Sequence, residues 1–227
     1  TSAASRFYGL PDSTYTLVWQ IMTACWFSSD TVLIGFAPLD TIFDCGDSLL
    51  DLRDSTRYAT VLLGNRCWMA QNLNIGALVY GNSEQQNNGV VEKYCYNDDS
   101  LNCMLYGGLF QWDEAMDYDS VGDLQGICPD GWHIPSDHEW RLLEKAADSQ
   151  YGSSDSVWLI SGWRGTDAGA NLRLPGTQFW DSPNSGASNS TGFSLLPSGS
   201  RNDLGQYLHL GQRAYLWSST QAGPESW

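Results

Sequence analysis

Two stretches near the start of the chain are dominated by β-branched, aliphatic and aromatic residues. Residues 14–27 and 31–36 have this composition, and a short Ser-Ser-Asp run separates them. Such runs predict two strands of a hairpin-like unit, and an amphipathic helix over 15–27 is the alternative. A break follows at Pro38. We therefore interpret residues 1–44 as an N-terminal β-rich extension or small module.

The remainder of the chain, residues 45–227, has the pattern of a single domain. Residues 58–63 are rich in β-forming residues, Gly64-Asn65 favours a turn, and a second β-rich run covers 67–73. This order predicts two strands joined by a tight turn. Residues 81–89 are polar and rich in Asn, Gln and Gly, which predicts a loop.

Helical periodicity occurs in two places in this domain. Residues 107–116 have apolar side chains at helical spacing, which predicts a first helix. Further on, a Pro-Asp-Gly turn precedes Ser136, which is a good N-cap, and Glu139 three residues later completes a capping box. The apolar stripe that follows predicts a second helix over 136–149.

The last part of the domain is irregular. Residues 152–190 form a long Ser-, Gly-, Asn- and Asp-rich region, and loops of this length are usually functional. Short strands are predicted at 192–196, 207–210 and 214–218. Two helices, a long irregular region and short terminal strands indicate an α+β fold, with the helices packed on a small antiparallel sheet.

Composition excludes several classes of partner. The 227 residues include eleven Trp and eleven Tyr but only two Lys, and the net charge is −15. Nucleic acids and anionic membrane surfaces both attract basic residues, so neither partner fits this chain. The longest apolar stretch, residues 15–27, is shorter than the roughly 20 residues that span a bilayer. We expect no nucleic-acid partner and no membrane insertion.

Six cysteines are present, and none forms a Cys-x-x-Cys motif. An even number in a loop-rich, Lys-poor chain favours disulfides and an oxidising compartment over structural zinc, and six free thiols in a cytosolic protein are the alternative. A local bridge is expected across the turn-like residues 97–100. The expected bridges are Cys95–Cys103, Cys67–Cys128 and Cys25–Cys45.

The sequence contains no pattern typical of a catalytic or metal site. His133 and His138 lack the His-Glu-x-x-His spacing of zinc proteases, so together with Glu139 we interpret them as structural. Asp117 and Asp119 begin an acidic loop whose later positions lack the ligands of an EF-hand. A nucleophilic cysteine needs a free, activated thiol, and every cysteine has an expected bridge. We expect no catalytic residue, no metal site and no cofactor, with calcium as the alternative.

The C-terminal region has the composition of a recognition surface. Tyr, Arg, Ser and Asn on a rigid sheet favour binding, because aromatic side chains provide contact area at low entropy cost. We expect Trp217, in the same region, to be buried. The candidate ligand-binding residues are Arg201, Asn202, Tyr207, His209, Arg213, Tyr215 and Ser218.

Nine short motifs follow one another along the domain. They are Asp51-Leu-Arg-Asp54, Tyr58-Ala-Thr-Val61, Gly64-Asn-Arg-Cys-Trp-Met-Ala-Gln-Asn-Leu73, Glu92-Lys-Tyr-Cys-Tyr-Asn97, Asn102-Cys103, Tyr106-Gly-Gly-Leu-Phe-Gln-Trp-Asp-Glu-Ala-Met116, the stretch 126–140, Thr191-Gly-Phe-Ser-Leu-Leu-Pro197 and Leu216-Trp-Ser-Ser-Thr220. In this order and spacing they resemble the Fibrobacter succinogenes major paralogous domain, from about Cys45 to the C-terminus.

The resemblance implies a secreted or surface-anchored bacterial protein. It also implies a fold related to the C-type-lectin-like superfold, which hosts the sulfatase-modifying enzymes and the variable proteins of diversity-generating retroelements. In those variable proteins the equivalent of the C-terminal region displays the diversified residues. The Glu-Pro-Asn and Trp-Asn-Asp calcium ligands of the sugar-binding relatives do not occur in this sequence. The resemblance implies little about activity, because functional sites vary on a common fold.

Members of this family usually continue beyond the Trp-Ser-Ser-Thr motif into further strands, whereas this chain stops at Trp227. We therefore expect an open sheet edge, which is an aggregation hazard unless it is covered. Our hypothesis is that residues 15–36 cover it, within the chain or in a neighbouring subunit by strand addition.

Together these observations predict a non-enzymatic extracellular module for adhesion or binding, with a glycan or a surface protein as its ligand. The alternative is a self-assembling surface or filament subunit, a homo-oligomer in which the extension completes a neighbour's sheet. The third hypothesis is an enzyme of the sulfatase-modifying type.

Overall fold

The computed structural model describes residues 9, 13–22, 26–36, 43–119, 125–160 and 162–221. The chain forms two compact units, Thr1–Asp44 and Cys45–Trp227, and this division falls where the sequence pattern changes. None of the helices in the described ranges is long and apolar enough to cross a membrane.

The first unit contains an antiparallel hairpin. Strand β1 (Thr14–Met22) pairs along its whole length with strand β2 (Phe27–Gly35). Two strands are present as predicted, and the alternative helix over 15–27 is wrong. The predicted break at the Ser-Ser-Asp run is also wrong, because residues 28–30 lie inside β2 and pair with residues 19–21. Cross-strand pairing has outweighed the local turn preference of these residues.

The second unit combines small sheets with short helices. Its strands are β3 (Ser48–Leu50), β4 (Arg57–Leu63), β5 (Arg66–Met69), β6 (Ala77–Leu78), β7 (Glu92–Lys93), β8 (Ser200–Arg201) and β9 (Tyr207–Leu208). Its helices are α1 (Ser100–Tyr106), α2 (Trp112–Ala115), α3 (Asp137–Ala147) and α4 (Ala168–Leu172), with 3-10 turns at Tyr96–Asp98 and Ser156–Leu159. Strands β3, β4 and β5 form an antiparallel sheet, β6 and β7 pair in parallel, and β8 and β9 pair antiparallel. The α+β class with small antiparallel sheets is confirmed, and β6 and β7 add a parallel pair.

Helix α3 begins where the sequence predicted it. The Ser136 hydroxyl accepts a hydrogen bond from the backbone N–H of Glu139, and the Glu139 carboxylate accepts one from the backbone N–H of Ser136. This capping box satisfies N–H groups that the first helical turn would otherwise leave without partners. The helix ends at Ala147, because Asp148 already has extended backbone angles.

The predicted helix over 107–116 is only partly correct. Helix α2 covers its last part, because Gly107 has a φ of +83° and a Cβ there would lie 2.4 Å from the Cβ of Asn72. Helix α1, which the sequence analysis did not predict, precedes it. Asp99 caps α1 by accepting a hydrogen bond from the backbone N–H of Leu101, so part of the turn-like run after Cys95 is a helix start.

Two of the three short C-terminal strands are wrong. Residues 192–196 contain only an isolated bridge, and residues 214–218 contain no strand, whereas 207–210 is present in part as β9. In the last segment, the carbonyl of Trp217 accepts a hydrogen bond from the indole N–H of Trp140. A side chain thus satisfies a backbone group that a strand partner would otherwise satisfy.

The main core lies between β5, α3 and α4. Its buried side chains are Trp68, Leu143, Ala147, Ala168, Leu172 and Phe193. The ring centroid of Trp68 lies 5.3 Å from that of Trp140 and 6.4 Å from that of Phe193. Because full burial of a large apolar side chain contributes about 1.5–3 kcal/mol, this cluster holds the two helices on the sheet.

The second unit contains two disulfides. They join Cys95 to Cys103 and Cys45 to Cys67. The first is the predicted local bridge. The expected Cys67–Cys128 and Cys25–Cys45 bridges are wrong, because Cys45 and Cys67 bond to each other; Cys25 itself lies outside the described residues. The two bridges indicate an oxidising, extracellular-type compartment.

Thr60 explains why Cys45 pairs with Cys67. Its hydroxyl donates a hydrogen bond to the carbonyl of Asp47 and accepts one from the backbone N–H of Gly46. Since β4 lies between β3 and β5, these bonds hold the start of the domain across the sheet. The two cysteine Cα atoms are then 5.6 Å apart, within the range that a disulfide requires.

We expect Cys128 to be unreactive in the native protein. It forms no bridge with any cysteine that the structure describes, and burial raises the pKa of its thiol to about 12, which suppresses the reactive thiolate. Alkylation without reductant, followed by peptide mass spectrometry, should leave Cys128 unmodified in the folded protein and modify it in denaturant. Modification of the four bridged cysteines under the same unreduced conditions would contradict the disulfide assignment.

Candidate functional site

An open pocket of about 540 Å³ lies where three separate segments of the second unit meet. The segments are the turn after β6, the 3-10 turn before α1 and the turn between β8 and β9. The lining residues are Tyr80, Gly81, Asn82, Asn97, Asp98, Gly205, Gln206 and Tyr207. We call this the Asp98 pocket.

Asp98 connects all three segments. Its Oδ1 accepts a hydrogen bond of 2.7 Å from the backbone N–H of Gly81 and one of 2.6 Å from the hydroxyl of Tyr207. Asn97 and Asp98 have φ angles of 56° and 59°, in the left-handed region that Asn and Asp enter more readily than most residues. The Asn-Asp sequence therefore makes the turn that brings this carboxylate to the other two segments.

Two glycines allow these segments to approach closely. A Cβ at Gly81 would lie 2.8 Å from the ring and hydroxyl of Tyr207. A Cβ at Gly205 would lie 2.2 Å from the carbonyl oxygen of Gly81. Any larger residue at either position would force the segments apart, so the shape of the pocket depends on both.

Arg201 fastens the first segment to β8. Its Nε donates to the carbonyl of Gly81 and its Nη2 to Oε1 of Glu84, both at 2.9 Å, and its guanidinium lies 4.3 Å from the ring centroid of Tyr94. The hydrogen bond from Arg201 lowers the pKa of Glu84, which keeps the pair ionised. The Arg201 side chain is 6% exposed. This predicted ligand-binding residue therefore positions a wall of the pocket.

Asn202, also predicted to bind ligand, shapes the turn between β8 and β9. Its Oδ1 accepts hydrogen bonds from the backbone N–H groups of Leu204 and Gln206, and its amide nitrogen donates to the Gln206 side chain. Asn side chains commonly bond to nearby backbone groups in this way in turns. Its role is to hold Gln206 at the pocket.

Tyr207 is the predicted residue that lines the pocket. Burial, and next its hydrogen bond to Asp98, raise the pKa of its phenol, so the hydroxyl remains a donor at neutral pH. Its ring centroid lies 5.3 Å from that of Tyr96. The ring is thereby held on one side, and the residue lines the cavity.

His209, Arg213 and Tyr215 form a separate cluster that does not line the pocket. The rings of His209 and Tyr215 have centroids 6.3 Å apart, and Nη1 of Arg213 donates to the hydroxyl of Tyr215 at 3.3 Å. The sequence analysis joined these residues to Tyr207 because they are close in the chain. The structure places Tyr207 in the pocket and these three residues elsewhere.

Ser218 and Trp217 serve to anchor the C-terminal segment. The carbonyl of Ser218 accepts a hydrogen bond from the indole of Trp112, and its hydroxyl accepts one from the backbone N–H of Thr220. The indole of Trp217 donates to the carbonyl of Phe110 at 2.7 Å. Trp217 is 40% exposed, so its expected burial is wrong; the indole is held at the surface by its polar edge.

Five side chains of the pocket were not predicted from the sequence. They are Tyr80, Asn82, Asn97, Asp98 and Gln206. The polar loop at 81–89 and the turn at 97–100 were each predicted, but the contact between them was not. The available signal consisted of an Asn-Asp pair in one turn and a Gly-Asn pair in the polar loop that precedes it. Contacts over 109 and 120 residues of chain, as in Asp98–Tyr207 and Arg201–Gly81, have no local signature.

The pocket offers hydrogen-bonding groups beside an aromatic ring. Within the described residues, no hydrogen bond engages the side-chain amide of Asn97, the second carboxylate oxygen of Asp98 or the amide nitrogen of Asn82. Tyr80, beside them, is 62% exposed. These groups can donate and accept hydrogen bonds, and the ring can pack against an apolar face.

The described part of the chain contains no group of three or more His, Cys, Asp or Glu side chains that could hold a metal ion. Nε2 of His133 instead lies 2.9 Å from Oε1 of Glu139. That contact belongs to the start of α3.

Comparison with known proteins gives one match. The family model described as Fibrobacter succinogenes major domain matches residues 61–227, which is most of the chain and all three segments of the pocket. No curated protein and no solved structure matches the chain. The chain belongs to the Fibrobacter succinogenes major domain family, as its nine motifs predicted.

Proposed function

We propose that this chain is a secreted, non-enzymatic binding module of C-type-lectin-like type, which recognises a neutral glycan in the Asp98 pocket. The observation that supports this most directly is the set of pocket groups without a protein partner beside the exposed ring of Tyr80. A sugar presents hydroxyls that both donate and accept hydrogen bonds, together with apolar C–H faces. Amides and a carboxylate match the hydroxyls, and an aromatic ring matches the apolar face.

Charge favours a neutral ligand over an anionic one. The chain has a net charge of −15, and the pocket contains the Asp98 carboxylate. The cation next to the pocket, Arg201, is already paired with Glu84. An anionic ligand would therefore meet repulsion without a compensating cation.

The rigid construction of the pocket supports binding rather than catalysis. Asp98 and Tyr207 are hydrogen-bonded to each other, and Arg201 is hydrogen-bonded to the carbonyl of Gly81. Pre-organised groups reduce the entropy cost of binding. The raised pKa of Tyr207 makes it a poor base at neutral pH. Asp98 is the one carboxylate in the lining, whereas glycoside hydrolysis normally uses a pair.

Two substitutions test the pocket without removing its framework. An array of neutral oligosaccharides would identify a ligand, and calorimetry would then give its Kd. Tyr80→Ala and Asn82→Ala are each expected to weaken binding at least about tenfold, or about 1.4 kcal/mol, because each removes a contact from an exposed side chain.

Tyr215→Ala is the matched control, because Tyr215 is a similarly exposed tyrosine outside the pocket. It should bind like the unmodified protein. Binding that survives both pocket changes but is lost in Tyr215→Ala would move the site to the His209–Tyr215 cluster. A loss of binding on adding a calcium chelator would instead favour a calcium-dependent site.

A further inference from the structure

The β1–β2 hairpin of the first unit has almost no charge. Its two nine-residue strands contain one charged residue, Asp30, and no proline. The pairing runs without a bulge from one end to the other. The rest of the chain, by contrast, accounts for nearly all of a net charge of −15.

Both faces of this hairpin expose large apolar side chains. The strand register places Val18, Phe27 and Leu33 on one face, with exposed fractions of 56%, 71% and 70%. The opposite face exposes Trp19 and Ile21, at 61% and 67%. An apolar surface of this kind on a protein normally marks an interface.

Neither edge of the hairpin pairs with a third strand among the described residues. In the described residues it is a two-stranded sheet, so one row of backbone N–H and C=O groups on each strand has no strand partner. Natural proteins usually protect such edges with charges, proline, bulges or short strands; this hairpin has Asp30 as its one charge and none of the other devices. A two-stranded hairpin is also only marginally stable by itself.

We propose that the hairpin pairs edge to edge with the hairpin of a second copy of this chain, giving a four-stranded antiparallel sheet. Apolar side chains on each face then meet their counterparts across the new junction, where cross-strand pairs stabilise a sheet. The same surface serves both partners, as in two-fold symmetric dimers.

The hairpin is the part of this chain at which a second copy can approach with little charge repulsion. Two copies of this chain repel each other over most of their surfaces, because both are strongly acidic. Contact is favourable where charge is absent, and the hairpin is such a place on both copies. A basic partner would be attracted to the acidic surfaces instead. A partner for the hairpin must be apolar, nearly uncharged and have a free strand edge, and the hairpin itself meets these requirements.

Sedimentation velocity of the full chain from about 1 µM to about 100 µM tests this proposal. We expect the sedimentation coefficient to rise with concentration. Hydrogen exchange should show that amides of residues 14–22 and 27–35 become more protected over the same range. A monomer at every concentration, with unchanged exchange in the hairpin, would overturn the proposal.

A double substitution separates loss of association from loss of the hairpin. Val18 and Leu33 lie on the same face at diagonal positions, which are typically about 7–8 Å apart. Val18→Lys with Leu33→Glu therefore adds an ion pair within one hairpin while removing apolar contacts between copies. We expect this variant to remain monomeric at all concentrations. If it associates like the unmodified protein, the hairpin is not the interface.

Leu52→Lys is the control for surface hydrophobicity, because Leu52 is 85% exposed and lies in the second unit. It should associate normally. Tyr80→Ala should also associate normally, because the proposed interface does not involve the Asp98 pocket. Failure of glycan binding and failure of association can thus be distinguished.

Discussion

Replacement of Asp148 by alanine is expected to lower the free energy of unfolding by about 3–4 kcal/mol. The side chain is 8% exposed, and its two oxygens accept hydrogen bonds from five backbone N–H groups. The donors belong to Gln150, Tyr151, Thr166, Asp167 and Ala168. Leaving a buried donor without a partner costs about 1–3 kcal/mol, and several would lose their partner together.

The reason for this large effect is the position of Asp148 between two helices. It follows α3 directly, and its bonds to residues 166–168 hold the start of α4 against the end of α3. Burial by itself raises the pKa of this carboxylate. The backbone hydrogen bonds together outweigh burial, so the pKa lies below its usual value. The carboxylate form is therefore the one that the fold stabilises.

Urea denaturation at neutral pH would measure the effect of Asp148→Ala. Asp155→Ala is a matched control, because the side chain of this exposed aspartate accepts a hydrogen bond only from the backbone N–H of Val157 among the described residues. The control should cost about 1 kcal/mol, the usual value of an N-cap. Equal losses in the two variants would show that the multiple bonds of Asp148 do not contribute.

The free energy of unfolding should fall by about 3 kcal/mol as the pH is lowered from about 4.5 towards 2, through protonation of Glu139 alone. Burial raises the pKa of Glu139, but hydrogen bonds from the Ser136 backbone, His133 and the Ser136 hydroxyl lower it to about 2, against an ordinary value of 4.5. Arg66 adds an ion pair at 2.8 Å. Because the folded pKa is depressed, the contribution is fully present above about pH 4.5 and is lost as the pH falls through 2.

Glu139→Gln isolates this effect from the other carboxylates. The variant should be less stable than the unmodified protein at pH 7, and the difference between the two should shrink steadily below pH 4.5. Chemical denaturation at a series of pH values would measure that difference. A difference that stays constant between pH 7 and pH 2.5 would mean that the charge of Glu139 does not stabilise the fold.

The elements that the sequence predicted correctly have local causes. Helix α3 follows from Ser136, Glu139 and the apolar stripe behind them, all within a few turns. The β4–β5 hairpin follows from two β-rich runs on either side of Gly64-Asn65. The Cys95–Cys103 bridge spans eight residues. In each case the residues that decide the structure are neighbours in the chain.

The elements that the sequence predicted wrongly depend on distant residues. Residues 214–218 have the composition of a strand, but indoles from α2 and α3 bind their carbonyls. The predicted helix does not begin at residue 107, because Gly107 lies against Asn72, which is 35 positions earlier in the chain. Cys67 pairs with Cys45 because a threonine on the intervening strand holds the start of the domain in place.

The candidate site shows the same difference between features with local causes and features that depend on distant residues. Tyr207, a predicted ligand-binding residue, lines the Asp98 pocket. For Arg201 and Asn202, also predicted to bind ligand, only the structure shows that their polar groups are already engaged by Glu84, Gly81 and the turn backbone. Asp98 was assigned to a turn and not to a site, since its partner Tyr207 is 109 residues away.

The construction of the Asp98 pocket separates the groups that build it from the groups that a ligand would touch. Asp98, Arg201 and Asn202 fix the three segments, whereas Tyr80 and Asn82 extend from them into solvent. The second set can therefore be randomised in a combinatorial library while the first is kept. Under the proposed binding function, we expect changes at Tyr80 and Asn82 to alter specificity at little thermodynamic cost.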